Sequence, residues 1–120
     1  MSLRIQCTVI DCTDALRVGT FWADLLGRPL GGPEDDGVYW IEPGENLPEL
    51  LFIPVPEAKS VKNRLHIDLR PDDQAAEVER ALALGAGHVD IGQGTQTWAV
   101  LADPEGNEFC ILRALRPDES

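Results

Sequence analysis

The sequence predicts an α+β protein built from two tandem βαβββ units, and three observations carry that prediction. Strand-like and helix-like stretches follow one another in the same order in each half. The halves overlay at one offset of 59 residues, so that Cys7 falls on His66, Asp14 on Asp73, Leu25 on Leu84, and "ELLFI" on "EFCIL". A single offset that aligns the first strand, the helix and the last strand is the mark of an internal duplication. The length, 120 residues, suits one domain with a real core. We therefore take residues 1–120 as a single domain, unit one running from about 3 to 56 and unit two from about 64 to 115. Residues 59–63, after the proline-bounded "PVPEAK", form the linker.

In the first unit, Leu3 to Ile10 reads as a strand. Thr13 or Asp14 caps a helix that runs to about Leu26 and is closed by Gly27. Its apolar residues Val18, Phe21, Trp22, Leu25 and Leu26 fall at helical spacing. The turn "GRPLGGPEDDG" follows, with a short strand around Pro29–Gly31, then the strands "VYWIEP" and "PELLFIPV". In the second unit the order is the strand "RLHIDLR", a helix over "PDDQAAEVERALALGA", the strands "HVDI" and "TWAVLAD", a "PEGN" turn and the strand "EFCILRAL". Asp72 or Asp73 caps this second helix. Ala76, Val78, Ala81, Leu82 and Leu84 line its apolar side, and Gly85 or Gly87 ends it.

Composition narrows the function. Hydrophobic residues make up 43% of the chain, as in globular proteins. No apolar run is long enough to span a bilayer and no signal-peptide pattern opens the chain, which places it in the cytoplasm. Acidic residues outnumber basic ones 21 to 10, a net charge of −11. That balance argues against nucleic acid and anionic membrane surfaces as partners, since both demand Lys and Arg; a cationic ligand would be attracted, but net charge speaks to solubility more than to function. The three cysteines are an odd count with no CxxC pair, so neither a disulfide framework nor a zinc ribbon is expected.

Strand periodicity then sorts the side chains. In "RLHIDLR", Leu65, Ile67 and Leu69 share one face and His66, Asp68 and Arg70 the other. Phe109 and Ile111 face the helix side, which leaves Glu108, Cys110 and Leu112 beside His66 and Asp68. By the offset, Cys7, Val9 and Asp11 of the first strand and Glu49, Leu51 and Ile53 of the fourth occupy the same face. This is a solvated face or a pocket wall, and the repeat favours the wall, because the helices cover the opposite side. His66 with Asp68 two residues on is a general-base arrangement, with Glu108 as a further acid or base. Arg64 and Arg70 suit a carboxylate or carbonyl oxygen, and Trp98 and Trp40 suit the walls of an organic ligand site or the core.

The segments "IQCTVIDCTDALRVGTFWADLLG", "RLHIDLRPDDQAAEVERALALGA" and "DPEGNEFCIL", in this order and with the repeat, resemble the vicinal oxygen chelate superfamily of glyoxalases, bleomycin resistance proteins and extradiol dioxygenases. They are most similar to its glyoxalase-like subgroup of unassigned reaction. The resemblance implies an open, cupped mixed sheet with the helices outside, and a homodimer. It also implies a metal site with one ligand on the first and last strand of each unit, the places held here by Cys7, Leu51, His66 and Cys110. Leu51 cannot coordinate, so Cys7, His66 and Cys110 remain, a set for which zinc is the first choice. A metal-free site is equally compatible with the sequence. Two functions follow as expectations. One is a lyase- or isomerase-type enzyme acting on a small polar molecule. The other is a metal-free protein of the bleomycin-resistance type that sequesters an antibiotic or metabolite.

Overall fold

The computed structural model describes residues 2–89 and 98–119. By its contacts the chain divides into two compact units, Met1–Lys59 and Ser60–Ser120. Each is a mixed sheet with one long helix, so the class is α+β as the sequence predicts.

The first unit contains β1 (Thr8–Cys12), α1 (Ala15–Leu26), β2 (Tyr39–Ile41) and β3 (Leu50–Pro54), in the sheet order β1-β3-β2. The Asp14 carboxylate accepts from the Arg17 N–H at 3.1 Å and satisfies one of the free amides that open α1. Gly27 ends the helix at φ 66°, a left-handed conformation that costs glycine little. Val18, Phe21, Trp22 and Leu25 are buried on α1, and Ile41, Leu50 and Phe52 on the sheet it packs against. The rings of Phe21 and Trp22 meet edge to face, 5.6 Å between centroids. The expected strand around Pro29–Gly31 is reduced to one bridge, Gly31 to Trp40. Glycine is required there, because a Cβ would lie 2.5 Å from the Trp40 indole.

The second unit contains β4 (Ile67–Leu69), α2 (Gln74–Leu84), β5 (Gly87–His88), β6 (Ala99–Ala102) and β7 (Glu108–Ile111), ordered β4-β7-β6-β5. Asp73 caps α2 as Asp14 caps α1. The repeat extends to the register. Thr8 pairs with Leu50 in the parallel β1–β3 ladder, and 59 residues on Ile67 pairs with Phe109 in β4–β7. Along the next strand the offset slips by one: Tyr39 pairs with Phe52, but it is Ala99, not Trp98, that pairs with Ile111.

Three expectations need correction. The first strand starts at Thr8 and not at Leu3, and Leu3 and Ile5 are exposed. The fourth begins at Ile67, so Leu65 precedes the ladder, escapes the strand alternation and is 90% exposed. On α2 only Ala81 is fully buried, while Val78, Leu82 and Leu84 are half-buried and Ala76 is exposed, because an alanine-rich face has little surface to hide. Asp90 and Ile91 of "HVDI" and Thr97 of "TWAVLAD" lie outside the described residues. Among the described residues no helix is long and apolar enough to cross a membrane.

Candidate functional site

The face of the second sheet opposite Phe109 and Ile111 carries a pocket of about 310 Å³. Parity builds it. Cys110 pairs directly with Asp68 across β4–β7, and with Val100 across β6–β7. Residues paired across a ladder present their side chains on one face, side by side. His66, just ahead of the strand, meets the Asp68 side chain directly and so joins the same face. Val100, Leu112 and the half-exposed Trp98 supply apolar wall, while Lys62 and Glu108 complete the rim.

The polar groups converge at one end. His66 Nδ1 lies 2.9 Å from Asp68 Oδ1 and 4.0 Å from Cys110 Sγ. With Asp68 accepting from Nδ1–H, the neutral imidazole keeps its lone pair at Nε2, free to take a proton. The pair is reachable from solvent, since the His66 side chain is 41% and that of Asp68 47% exposed, whereas Cys110 beneath them is buried. Glu108 Oε1 accepts the Asn63 amide at 2.9 Å, which ties the segment leading to His66 to the edge of β7.

Burial, then the charge and hydrogen bond of the Asp68 carboxylate, push the Cys110 thiol up to about 11, with Lys62 pulling weakly the other way. Cys110 is thus a neutral thiol at physiological pH and not a nucleophilic thiolate. An ordinary thiol at the same pH holds roughly 100 times more thiolate, so Cys110 should react with iodoacetamide about 100-fold more slowly than a free cysteine peptide. The sign of the linkage adds a second readout. Below the ordinary thiol range both folded and unfolded chains keep this proton. Between that range and about 11 only the folded chain does, so stability should fall as pH rises through that window. Cys110→Ala should flatten the fall. Ordinary alkylation rates, or superimposable alkaline denaturation curves, would refute the assignment.

The structure thus brings together His66, Asp68, Glu108, Cys110 and Trp98 of the residues the sequence singles out. It places others elsewhere. Trp40 belongs to the first unit, where it lines a separate pocket of about 550 Å³ with Leu51 and the carboxylates Glu34, Asp35, Asp36, Glu42 and Glu49. Its indole N–H donates to Glu42 at 2.8 Å. Arg64 is exposed and does not line the second unit's pocket. Neither does Arg70, which donates to the Arg113 carbonyl at 2.7 Å. Cys7 is a half-buried free thiol of the first unit. Lys62 was not singled out in the sequence, where a lysine in a linker gives no signal of its own.

The two pockets occupy repeated positions. Val38, Trp40, Glu49 and Leu51 in the first match Trp98, Val100, Glu108 and Cys110 in the second, the tryptophan having changed strand position. The four-place metal arrangement expected from the resemblance does not close with these residues, because the hydrocarbon Leu51 stands at one place. The donors that converge instead, among the described residues, are His66, Asp68 and Cys110, whose ligating atoms lie within 4.8 Å of one another.

The duplicated strand–helix–strand unit with an open sheet face is also the fold that comparison with known proteins recovers. Residues 7–112 match the family model described as "Glyoxalase-like domain", and the chain belongs to this family. No curated protein matches the sequence. Among solved structures, a hypothetical protein, SA1046, from S. aureus aligns with TM-score 0.72 at 16% identity, covering 95% of this chain and 96% of that one. TnmS3, an antibiotic binding protein from Streptomyces sp. CB03234, aligns at 0.64 and 21% identity, covering 96% and 99%. The fosfomycin resistance protein FosX from Mesorhizobium loti aligns at 0.70 and 13% identity, covering 96% and 94%. At these identities the likeness establishes the fold.

Proposed function

We propose that the second unit binds a small organic molecule with an apolar body and a polar head, and moves a proton on it. The observation that carries this reading is the His66–Asp68 pair, 2.9 Å apart, at the polar end of a pocket walled by Trp98, Val100 and Leu112. The walls take the apolar body. Asp68 fixes the imidazole so that Nε2 accepts the proton, and Glu108 at the rim is the second group able to give or take one. This is lyase- or isomerase-type chemistry, in which the proton removed from one atom is returned to another or lost with a leaving group.

A second reading is sequestration of a cationic molecule, and a different observation favours it. The pocket of the first unit is lined by Trp40 and five acidic residues, with Glu42 accepting from the indole, a composition that suits an organic cation. TnmS3, which shares the fold, is an antibiotic binding protein.

One experiment separates the two. A panel of small aromatic and carbonyl-bearing molecules, neutral and cationic, is titrated while tryptophan fluorescence is recorded. We expect ligands whose affinity falls at least about ten-fold in His66→Ala and in Trp98→Ala and holds in Trp40→Phe. For any of them that is turned over, His66→Ala should cost about 10²–10⁴ in rate. Cationic ligands that lose affinity in Trp40→Phe and bind His66→Ala as well as wild type would overturn the first reading in favour of the second.

A further inference from the structure

The segment that follows β7 gathers positive charge in a chain whose net charge is −11. Arg70, just past β4, donates from its guanidinium to the Arg113 carbonyl at 2.7 Å. Arg113, just past β7, holds the Glu119 carboxylate in a fork, Nη1 to Oε1 and Nη2 to Oε2, both at 2.8 Å. The Arg116 amide is a third donor, 2.6 Å from Oε1. A bidentate guanidinium beside a backbone N–H is a common receptor for carboxylate and phosphate ligands. Here the anion it holds belongs to the chain itself.

Local folding accounts for only part of this. Pro117 favours a turn over Arg116 to Glu119, closed by the Glu119 N–H on the Arg116 carbonyl at 2.9 Å. That turn returns the Glu119 side chain to the Arg116 amide. It calls for neither Arg113 nor Arg70. The charges do not balance either. A carbonyl compensates no charge, and among the described residues Arg70 belongs to no ion pair. Two guanidiniums therefore act on one carboxylate, since Arg70 as well as Arg113 favours the ionised form of Glu119. The Arg80–Glu77 pair of α2 shows the contrast. It too is 2.8 Å long, yet it joins one charge of each sign, three residues apart on a helix.

We infer that Arg113, Arg70 and the Arg116 amide form a binding site for a dianionic oxyanion, phosphate or a phosphate monoester, and that Glu119 occupies this site as an internal competitor. A dianion supplies the second negative charge that Glu119 lacks, and it has oxygens for the fork and the amide together. Acid is a poor way to empty the site. The Arg113 fork, then the Arg116 amide, holds the Glu119 carboxyl down at about 2, so it stays ionised until the solution is strongly acidic. A competing anion is what displaces it. None of these residues lines the pocket of His66 and Asp68, and the inference does not rest on the reading of that pocket.

Full-length protein in an oxyanion-free buffer slightly above neutral pH is titrated with inorganic phosphate, and the Arg116 amide is followed in ¹H–¹⁵N spectra. Wild type should bind weakly. Glu119→Gln should bind at least about ten-fold more tightly, because a competitor in place about nine-tenths of the time lowers apparent affinity by that factor. Glu77→Gln makes the same change of net charge at the Arg80 pair and should leave phosphate affinity at the wild-type value. With Glu119→Gln in place, Arg113→Lys removes the fork and Arg70→Gln the second charge, and each should weaken binding at least about ten-fold. Circular dichroism confirms that each variant is folded, and Arg70→Gln keeps the test usable if Arg113→Lys is not. Acetate, with one negative charge, should bind at least about ten-fold more weakly than phosphate. Phenyl phosphate separates the two sources of the ligand: tighter binding than phosphate assigns a monoester, weaker binding the free ion. No saturable phosphate binding in Glu119→Gln, an equal gain in Glu77→Gln, or acetate bound as tightly as phosphate would overturn the inference.

Discussion

Replacement of Asp103 by alanine should cost roughly 3 kcal/mol, read as a lower urea midpoint at unchanged slope. Asp103 is a buried charged residue, 3% exposed, at the start of the turn between β6 and β7. Its Oδ1 accepts the backbone amides of Glu105 at 2.9 Å and Asn107 at 3.0 Å, and the Asn107 side-chain amide donates to Oδ2 at 3.0 Å. Alanine strands these donors where water reaches them poorly, and a stranded donor costs more than a hydrogen bond gains. Asp103→Asn should cost about half as much, since one carbonyl oxygen still serves the backbone amides while its NH₂ confronts that of Asn107. The damage should also reach the site. The Asp103 amide closes the hairpin on the Asn107 carbonyl at 2.9 Å, and this closure fixes the register that sets Cys110 beside Asp68. A loss below about 1 kcal/mol in Asp103→Ala would mean that solvent meets those amides and that the turn holds without its carboxylate.

Much of this could be read from the chain, and the reasons are local. The offset that pairs Asp14 with Asp73 locates both helix caps, and the same offset carries the strand register, because the first and last strands of each unit are neighbours in the sheet. Alternation in "RLHIDLR" and "EFCIL" correctly sets His66, Asp68 and Cys110 on one face, since a pleat leaves a side chain only two directions. Alternation could not say where a strand begins. Leu65 obeys the pattern and still stands 90% exposed, because Ile67 is the first residue that pairs. Nor could it place Trp40, since membership of a pocket depends on which unit a strand folds with. The role of Asp103 was legible in principle. An aspartate opening a Pro/Gly turn commonly accepts from the amide two residues on, although the proline and glycine of "DPEGN" suffice by themselves to predict a turn. The shared face of His66, Asp68 and Cys110 was legible and their distances were not, because Asp68 and Cys110 are far apart in the chain and become direct neighbours only through the parallel pairing of β4 with β7.

Phe109→Ala and Cys110→Ala test that pleat most severely, because they are adjacent and both buried, at 0% and 6% exposure. Burial alone would rank them alike. Direction separates them. Phe109 points to the helix side of the sheet, where Leu101 and Ile111 are also enclosed, and its removal opens a cavity that a sheet and a helix cannot close. Such a change costs about 3–5 kcal/mol, on the order of a third or more of what holds a domain of this size together. Cys110 points into a pocket that already contains open space, so losing its sulfur should cost only about 1 kcal/mol. Urea titrations near neutral pH measure both. Phe109→Ala should bring the midpoint down sharply or leave the chain unfolded, and Cys110→Ala should remain close to wild type. If the two cost the same, Cys110 belongs to the core. The face that carries His66 and Asp68 would then be a packed surface, with no room for a ligand or an ion.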